Sequence, residues 1–157
     1  MIPKRIVLDT NVCLDLFVFR DPRWTALTDC MQRGAIEVVT REDCRKEWQI
    51  VLGYAHLKLD EAQRVIVEQA FDALIACHPI PSPDGEVQKL PVCKDKDDQK
   101  FLEFSRDINA DVLITKDKAL LKLARKTRRD GLFDIMTPEA WVAAYEKERT
   151  TPTNEPV

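Results

Sequence analysis

Long apolar runs are missing from this sequence. The longest, Ala140–Tyr145, spans six residues, whereas a membrane-crossing helix needs about 18 or more. The N-terminus, Met-Ile-Pro-Lys-Arg-Ile-Val-Leu-Asp, also lacks the apolar stretch of about 7–15 residues that marks a secretory signal. The expectation is a cytoplasmic protein with no membrane partner. Histidine is scarce: only His56 and His78 occur, and neither falls at an expected strand end. A histidine-rich zinc hydrolase is therefore disfavoured. The five cysteines, at positions 13, 30, 44, 77 and 93, are odd in number and include no Cys-x-x-Cys pair. Neither a disulfide framework nor a structural zinc site is expected, and buried free thiols are. Positive charge is not in excess. Lys and Arg number 24 against 27 Asp and Glu, a net of −3, which argues against a polyanion binder acting through bulk charge.

What is present fits one domain. The chain has 157 residues, close to the usual domain size of about 100–150. With 45% hydrophobic residues it can fill one core. A single domain is expected over residues 1–149. The polar tail 150–157, with two prolines, is expected to be disordered.

Hydrophobic patterning alternates between two kinds of segment. Lys4–Asp9, Ile36–Thr40, Val112–Thr115 and Phe133–Met136 read as short strands. Their continuous apolar character suits strands covered on both faces. Between them lie helical patterns at Val12–Phe19, from Pro22 (capped by Asp21) to Gly34, Arg41–Leu52, Asp60–Cys77, Asp97–Asn109 and Lys118–Arg129. Gly34 and Gly131 are natural helix stops. Asp60 and Gln63 form the sequence of a capping box. His78–Pro83 reads as extended, residues 81–92 as a loop, and Pro138 opens a last helix to about Lys147. Strands alternating with helices predict an α/β fold with a parallel sheet.

In such folds ligands gather at the carboxyl ends of the strands, near a topological switch point. That rule singles out particular acids. Asp9 ends the first strand, and Asp117 follows Val112–Thr115 by two residues. Asp97 and Asp98 open the helix feeding that strand, and Glu47 lies on the helix after the second. Each acid has an ordinary explanation as a turn or helix cap, a dipole partner or a solvated side chain. Together at one edge they would repel unless a cation were present. Mg²⁺ or Mn²⁺ suits carboxylate oxygens, and such a centre can position a phosphodiester and activate water. A phosphatase of the haloacid-dehalogenase type also places Asp after its first strand. It needs a second Asp two residues on, where this chain has Asn11.

Four segments, in order, carry a family resemblance: Ile6-Val-Leu-Asp-Thr-Asn-Val12, Glu47-Trp-Gln-Ile-Val-Leu52, Asp97-Asp-Gln-Lys-Phe-Leu-Glu103 and Val112-Leu-Ile-Thr-Lys-Asp-Lys-Ala-Leu-Leu121, followed by Met136-Thr-Pro-Glu139. Over residues 4–145 the chain resembles a PIN domain, most nearly the bacterial branch of toxins from type II toxin–antitoxin systems. The resemblance implies a three-layer α/β/α sandwich with a parallel, Rossmann-like sheet. It also implies a Mg²⁺- or Mn²⁺-dependent endoribonuclease leaving 5′-phosphate and 3′-hydroxyl ends. By position it makes Asp9, Glu47, Asp98 and Asp117 the catalytic metal ligands. Asn11 and Thr115 would support them. It further implies RNA as substrate, a small antitoxin as partner, and a possible homodimer. The branch usually has Asp-Pro-Asp-Asp before the third acid. Here the segment is Asp95-Lys-Asp-Asp98, which leaves open whether Asp95 or Asp97 also contributes.

An acidic nuclease still has to hold RNA. Lys118, Lys122, Arg125 and Arg129 recur at spacings of four, three and four, which on one helix makes a basic stripe beside Asp117. A solvated helix face is the ordinary alternative. Lys94, Lys96 and Lys100 add positive charge near the third acid. Aromatics are only 7%, and Trp24, Trp48 and Trp141 all sit in helical patterns that favour core packing over base stacking. Two further readings stay open: a non-catalytic RNA- or protein-binding module, and an RNA-processing nuclease without a toxin role.

Overall fold

The computed structural model describes residues 4–81 and 87–150. The expected disordered tail lies almost wholly outside them. Five parallel strands form one sheet: β1 (Lys4–Leu8), β2 (Ile36–Arg41), β3 (Ile75–His78), β4 (Val112–Ile114) and β5 (Asp134–Met136), in the order β3-β2-β1-β4-β5. Helices are α1 (Thr10–Phe17), α2 (Thr25–Gln32), α3 (Glu42–Leu52), α4 (Glu61–Leu74), α5 (Gln99–Asp107), α6 (Lys118–Leu121), α7 (Ala124–Arg129) and α8 (Pro138–Thr150). Among the described residues no helix is long and apolar enough to cross a membrane.

Alternation along the strands builds two cores. Ile6, Leu8, Val38, Val112 and Ile114 join one cluster with Val12 and Leu16 of α1, Leu27 of α2, Phe71 of α4 and Trp141 of α8. Val7, Val39, Leu113 and Ile135 join the other with Phe101 and Leu102 of α5 and Leu120 of α6. Side chains two residues apart share a sheet face, so neither face is left to water. This is the three-layer α/β/α sandwich, and the double coverage explains the unbroken apolar strands. Helix α3 serves both layers, with Trp48 and Leu52 in the first cluster and Cys44 in the second.

Several element boundaries differ from the expected ones. The helical pattern over Asp60–Cys77 stops at Leu74, and Ile75–His78 becomes edge strand β3. Pairing of Val38–Arg41 with Ile75–His78 overrides a periodicity that would have carried on as helix. Cys77 is consequently exposed, whereas the other four free cysteines are buried. The segment expected as one helix from Asp97 begins with a 3₁₀ turn, Lys96–Asp98, before α5. Lys118–Arg129 divides into α6 and α7 at Lys122-Leu123. Gly34 and Gly131 do close α2 and α7, with φ of 71° and 69°, a region that glycine enters without strain.

The largest side chains lock α3 and α4 onto the sheet. Trp48 stacks on Phe71 with centroids 5.0 Å apart, and Phe17 meets both rings at 6.1 and 5.6 Å. Phe71 is the one fully buried side chain of α4, with Val67 and Leu74 packed half-buried against the same cluster. Phe71→Ala is expected to cost about 3–5 kcal/mol, the usual range for emptying a buried aromatic site, as measured by urea denaturation. A cost below about 1 kcal/mol would mean that α4 is held by other contacts.

Candidate functional site

The chain builds outward from β1 to β2 and β3, then returns to place β4 on the other side of β1. The switch point therefore lies between β1 and β4, whose last paired residues are Leu8 and Ile114. Beyond this pair the Asp9 amide donates to the Ile114 carbonyl at 2.9 Å. The Thr115 hydroxyl then donates to Asp9 Oδ2 at 2.6 Å. Asp9 also caps α1, with Oδ1 accepting from the Thr10 amide at 2.7 Å. Asn11 Nδ2 donates to Asp9 Oδ2 at 3.3 Å, and its Oδ1 accepts from the Lys116 amide. Asp9 thus has the ordinary role of a cap and sits at the crevice as well. It is 4% exposed. Burial raises its pKa to about 6, with Glu47 and Asp117 adding repulsion, against the lowering effect of the Thr115 and Thr10 hydrogen bonds.

Asp117 stands at the same edge because Thr115 turns the chain. The Asp117 amide donates to Thr115 Oγ1 at 3.0 Å, and Asp117 Oδ1 accepts from the Ala119 amide at 2.9 Å, capping α6. Asp98 arrives from the 3₁₀ turn. It is buried to 8% exposure, whereas Asp97 is exposed. Oxygen atoms of Asp95, Asp98 and Asp117 all lie within 4.8 Å of one another. Of the four expected acids this group holds Asp98 and Asp117, with Asp95 beside them, while Asp9, Glu47 and Asp97 lie outside it. Burial, the hydrogen bond to Asp117 and the charges of Asp9, Asp117 and Asp95 push Asp98 up to about 8. Asp117 is lowered by accepting that bond. One proton shared between the two carboxyls accounts for both directions. Asp98 Oδ2 is buried and has no hydrogen-bond partner among the described residues.

The loop that has Lys96 in place of proline is held by hydrogen bonds. Asp95 Oδ1 accepts from the Asp97 amide at 3.0 Å. Gln99 accepts from the Cys93 amide at 2.7 Å and donates to the Pro91 carbonyl at 3.2 Å. Gln99 thereby fastens the incoming segment to the first turn of α5.

Glu47 occupies a different position from the aspartates. It faces Asp9 closely enough to raise its pKa, yet both of its oxygens are engaged. Oε1 pairs with Lys100 Nζ at 2.9 Å, and Oε2 accepts a short hydrogen bond from the Thr10 hydroxyl. The sequence marks Lys100 only as positive charge near the third acid, and Thr10 not at all. For Lys100 the available signal was its place two residues after Asp98. Thr10 gave no signal beyond following Asp9.

The expected basic residues are all exposed, but they do not share one helix. Lys118 is on α6, Lys122 lies in the break, and Arg125 and Arg129 are on α7. The Leu123 amide bonds to Leu120 three residues back, a tighter turn than the α-helix, so the stripe shifts there. Trp24, Trp48 and Trp141 are buried.

The donor set fits a hard divalent cation. It consists of carboxylate oxygens, with one buried oxygen lacking any donor, and no histidine or cysteine among the three gathered acids. A family model described as PIN domain matches residues 5–119. No curated protein matches the chain.

Asp9 and Asp98 keep protons in the fold, at pKa about 6 and about 8, that an unfolded Asp at 3.8 has released. The unfolded state then binds fewer protons, so stability of the metal-free protein falls as pH rises from about 4 to about 8. In the presence of a chelator, the melting temperature should drop between about pH 5.5 and about pH 8, and Asp98→Asn should flatten that drop. Equal slopes in the two proteins would remove Asp98 as its source.

Proposed function

We propose, from the premise that this chain belongs to the PIN domain family, that it is a metal-dependent endoribonuclease. The observation that carries this reading is the gathering of Asp95, Asp98 and Asp117 beside Asp9, with Asp98 Oδ2 unpartnered. In this reading Asp98, Asp117 and Asp95 hold Mg²⁺ or Mn²⁺, and Asp9 and Glu47 complete the acidic wall. When bound, the ion would supply Lewis-acid stabilisation of the phosphodiester oxygens and lower the pKa of the attacking water. Thr115 and Asn11 keep Asp9 oriented through their hydrogen bonds to Oδ2. Arg125, Arg129, Lys118 and Lys122 would meet the phosphates on either side of the scissile bond.

The order of motifs supports the narrower role of a type II toxin. That role implies a small antitoxin laying a peptide across the acidic groove, a possible homodimer, and a cytoplasmic location. A short neighbouring reading frame whose product neutralises this chain on co-expression would support it. Harmless expression without such a partner would favour an RNA-processing nuclease. A non-catalytic binding module is disfavoured, because each of the four matched acids is present. A phosphatase is disfavoured because Asn11, which donates its amide to Asp9, cannot serve as the general acid.

Purified protein should cleave RNA with Mn²⁺, leaving 5′-phosphates, and Asp98→Asn should lose on the order of a hundredfold or more in rate, the scale for removing one electrostatic element of a site. Equal cleavage by both proteins would remove Asp98 from the reaction. On the Asp98→Asn protein, Arg125→Ala should weaken RNA binding and reduce the salt dependence by about one phosphate contact.

A further inference from the structure

One cation already stands among the acids. Lys100 Nζ lies 2.9 Å from Glu47 Oε1 and also donates to the Asp97 carbonyl. It sits 5.2 Å from the centroid of Phe101, within cation–π range, and Phe101 is buried at 1% exposure. Three restraints therefore fix an ammonium whose side chain is only 18% exposed. The Thr10 hydroxyl completes the enclosure of Glu47 from the opposite oxygen. Asp98 differs: its Oδ2 has no donor. The acids consequently divide into two sets. Asp95, Asp98 and Asp117 present mutually close oxygens, while Glu47 is neutralised by a side chain of the chain itself.

Resting on the nuclease reading above, we infer that Lys100 is a positioning residue that fills the second cation place and makes this a one-metal site. Its ammonium holds the Glu47 carboxylate as a second metal ion would, so Glu47 is not a ligand of the ion on Asp95, Asp98 and Asp117. The arrangement gives the site one exchangeable divalent ion and one fixed positive charge. The fixed charge sits inside the acidic wall, held between Glu47 and the Asp97 carbonyl.

Mn²⁺ titration of the full chain, with free ion followed by electron paramagnetic resonance, tests this without reference to activity. Wild type and Lys100→Arg should each bind one ion per chain. Lys100→Met, whose apolar stem keeps the packing against Phe101, should bind two. Lys100→Met combined with Glu47→Gln should return to one, because the second ion needs the Glu47 carboxylate. Melting curves establish that each variant is folded, and Glu47→Gln alone, which keeps the lysine, should retain the single ion if Lys100→Met does not fold. Two ions in wild type, one ion in folded Lys100→Met, or loss of the ion in Glu47→Gln would overturn the role of Lys100 and leave the nuclease reading standing. No specific Mn²⁺ binding in any of the proteins would instead overturn the metal-dependent reading on which it rests.

Discussion

Two parallel strands that hand their chains to opposite sides of a sheet leave backbone groups to satisfy where they diverge. Here that place is the end of β1 and β4. The Asp9 amide still reaches Ile114, but the next partnership passes to side chains, with Thr115 donating to Asp9 Oδ2. This bond sits under everything that follows. Thr115 also accepts from the Asp117 amide, which sets the turn into α6. Asp9 also caps α1, and Asn11 on that helix braces the Lys116 amide. A buried network of this kind holds its members in one arrangement only while each is satisfied. Loss of Asp9 would therefore disturb two helix starts and the strand crossing together.

The same network concentrates negative charge. Asp9 and Asp98 are buried, and each feels the negative charge of Asp117 with little water to screen it. Without a cation, burial and the neighbouring charges favour the protonated form of Asp98, whose pKa is pushed up to about 8. Structural and functional accounts of these acids do not compete. Asp9 and Asp117 cap helices through one oxygen, Oδ1, in each case. Capping takes one oxygen of each carboxylate, and the second oxygen of Asp9 accepts from Thr115 and Asn11.

Much of this was legible in the chain, and the limits have physical causes. Strand runs such as Ile6-Val-Leu8 and Val112-Leu-Ile114 are unbroken because both sheet faces are covered, so their identity was readable. Asp9 and Asp117 were readable because each follows such a run. Edge strand β3 was not: Ile75 continues a helical spacing, and only pairing with β2 diverts it. The break between α6 and α7 was hidden for a similar reason, since apolar spacing does not reveal a tightened turn. Asp95 was left open because an exposed acid in a loop has no periodicity to place it. Lys100 and Thr10 were missed as partners of Glu47 because the contact spans α1, α3 and α5, three elements that only the fold brings together.

Charge makes the same point about position. A net of −3 disfavours a polyanion ligand when it is spread over the whole surface, but the acids here are unevenly spent. Arg41 is buried in its pairing with Asp43, and Arg45 is paired with Asp72, so neither base pairs with the gathered aspartates. At the crevice, one divalent cation brings two positive charges to a wall that holds Asp9, Asp95, Asp98 and Asp117. An ion alone therefore does not outweigh the acids around it. The positive charge needed to seat a phosphate must come from side chains. Lys100 supplies it inside the wall, and Lys118 supplies it at the first position of α6. Both follow an aspartate of the gathered set within two residues, so each acid that can hold the ion carries a base close behind it in sequence.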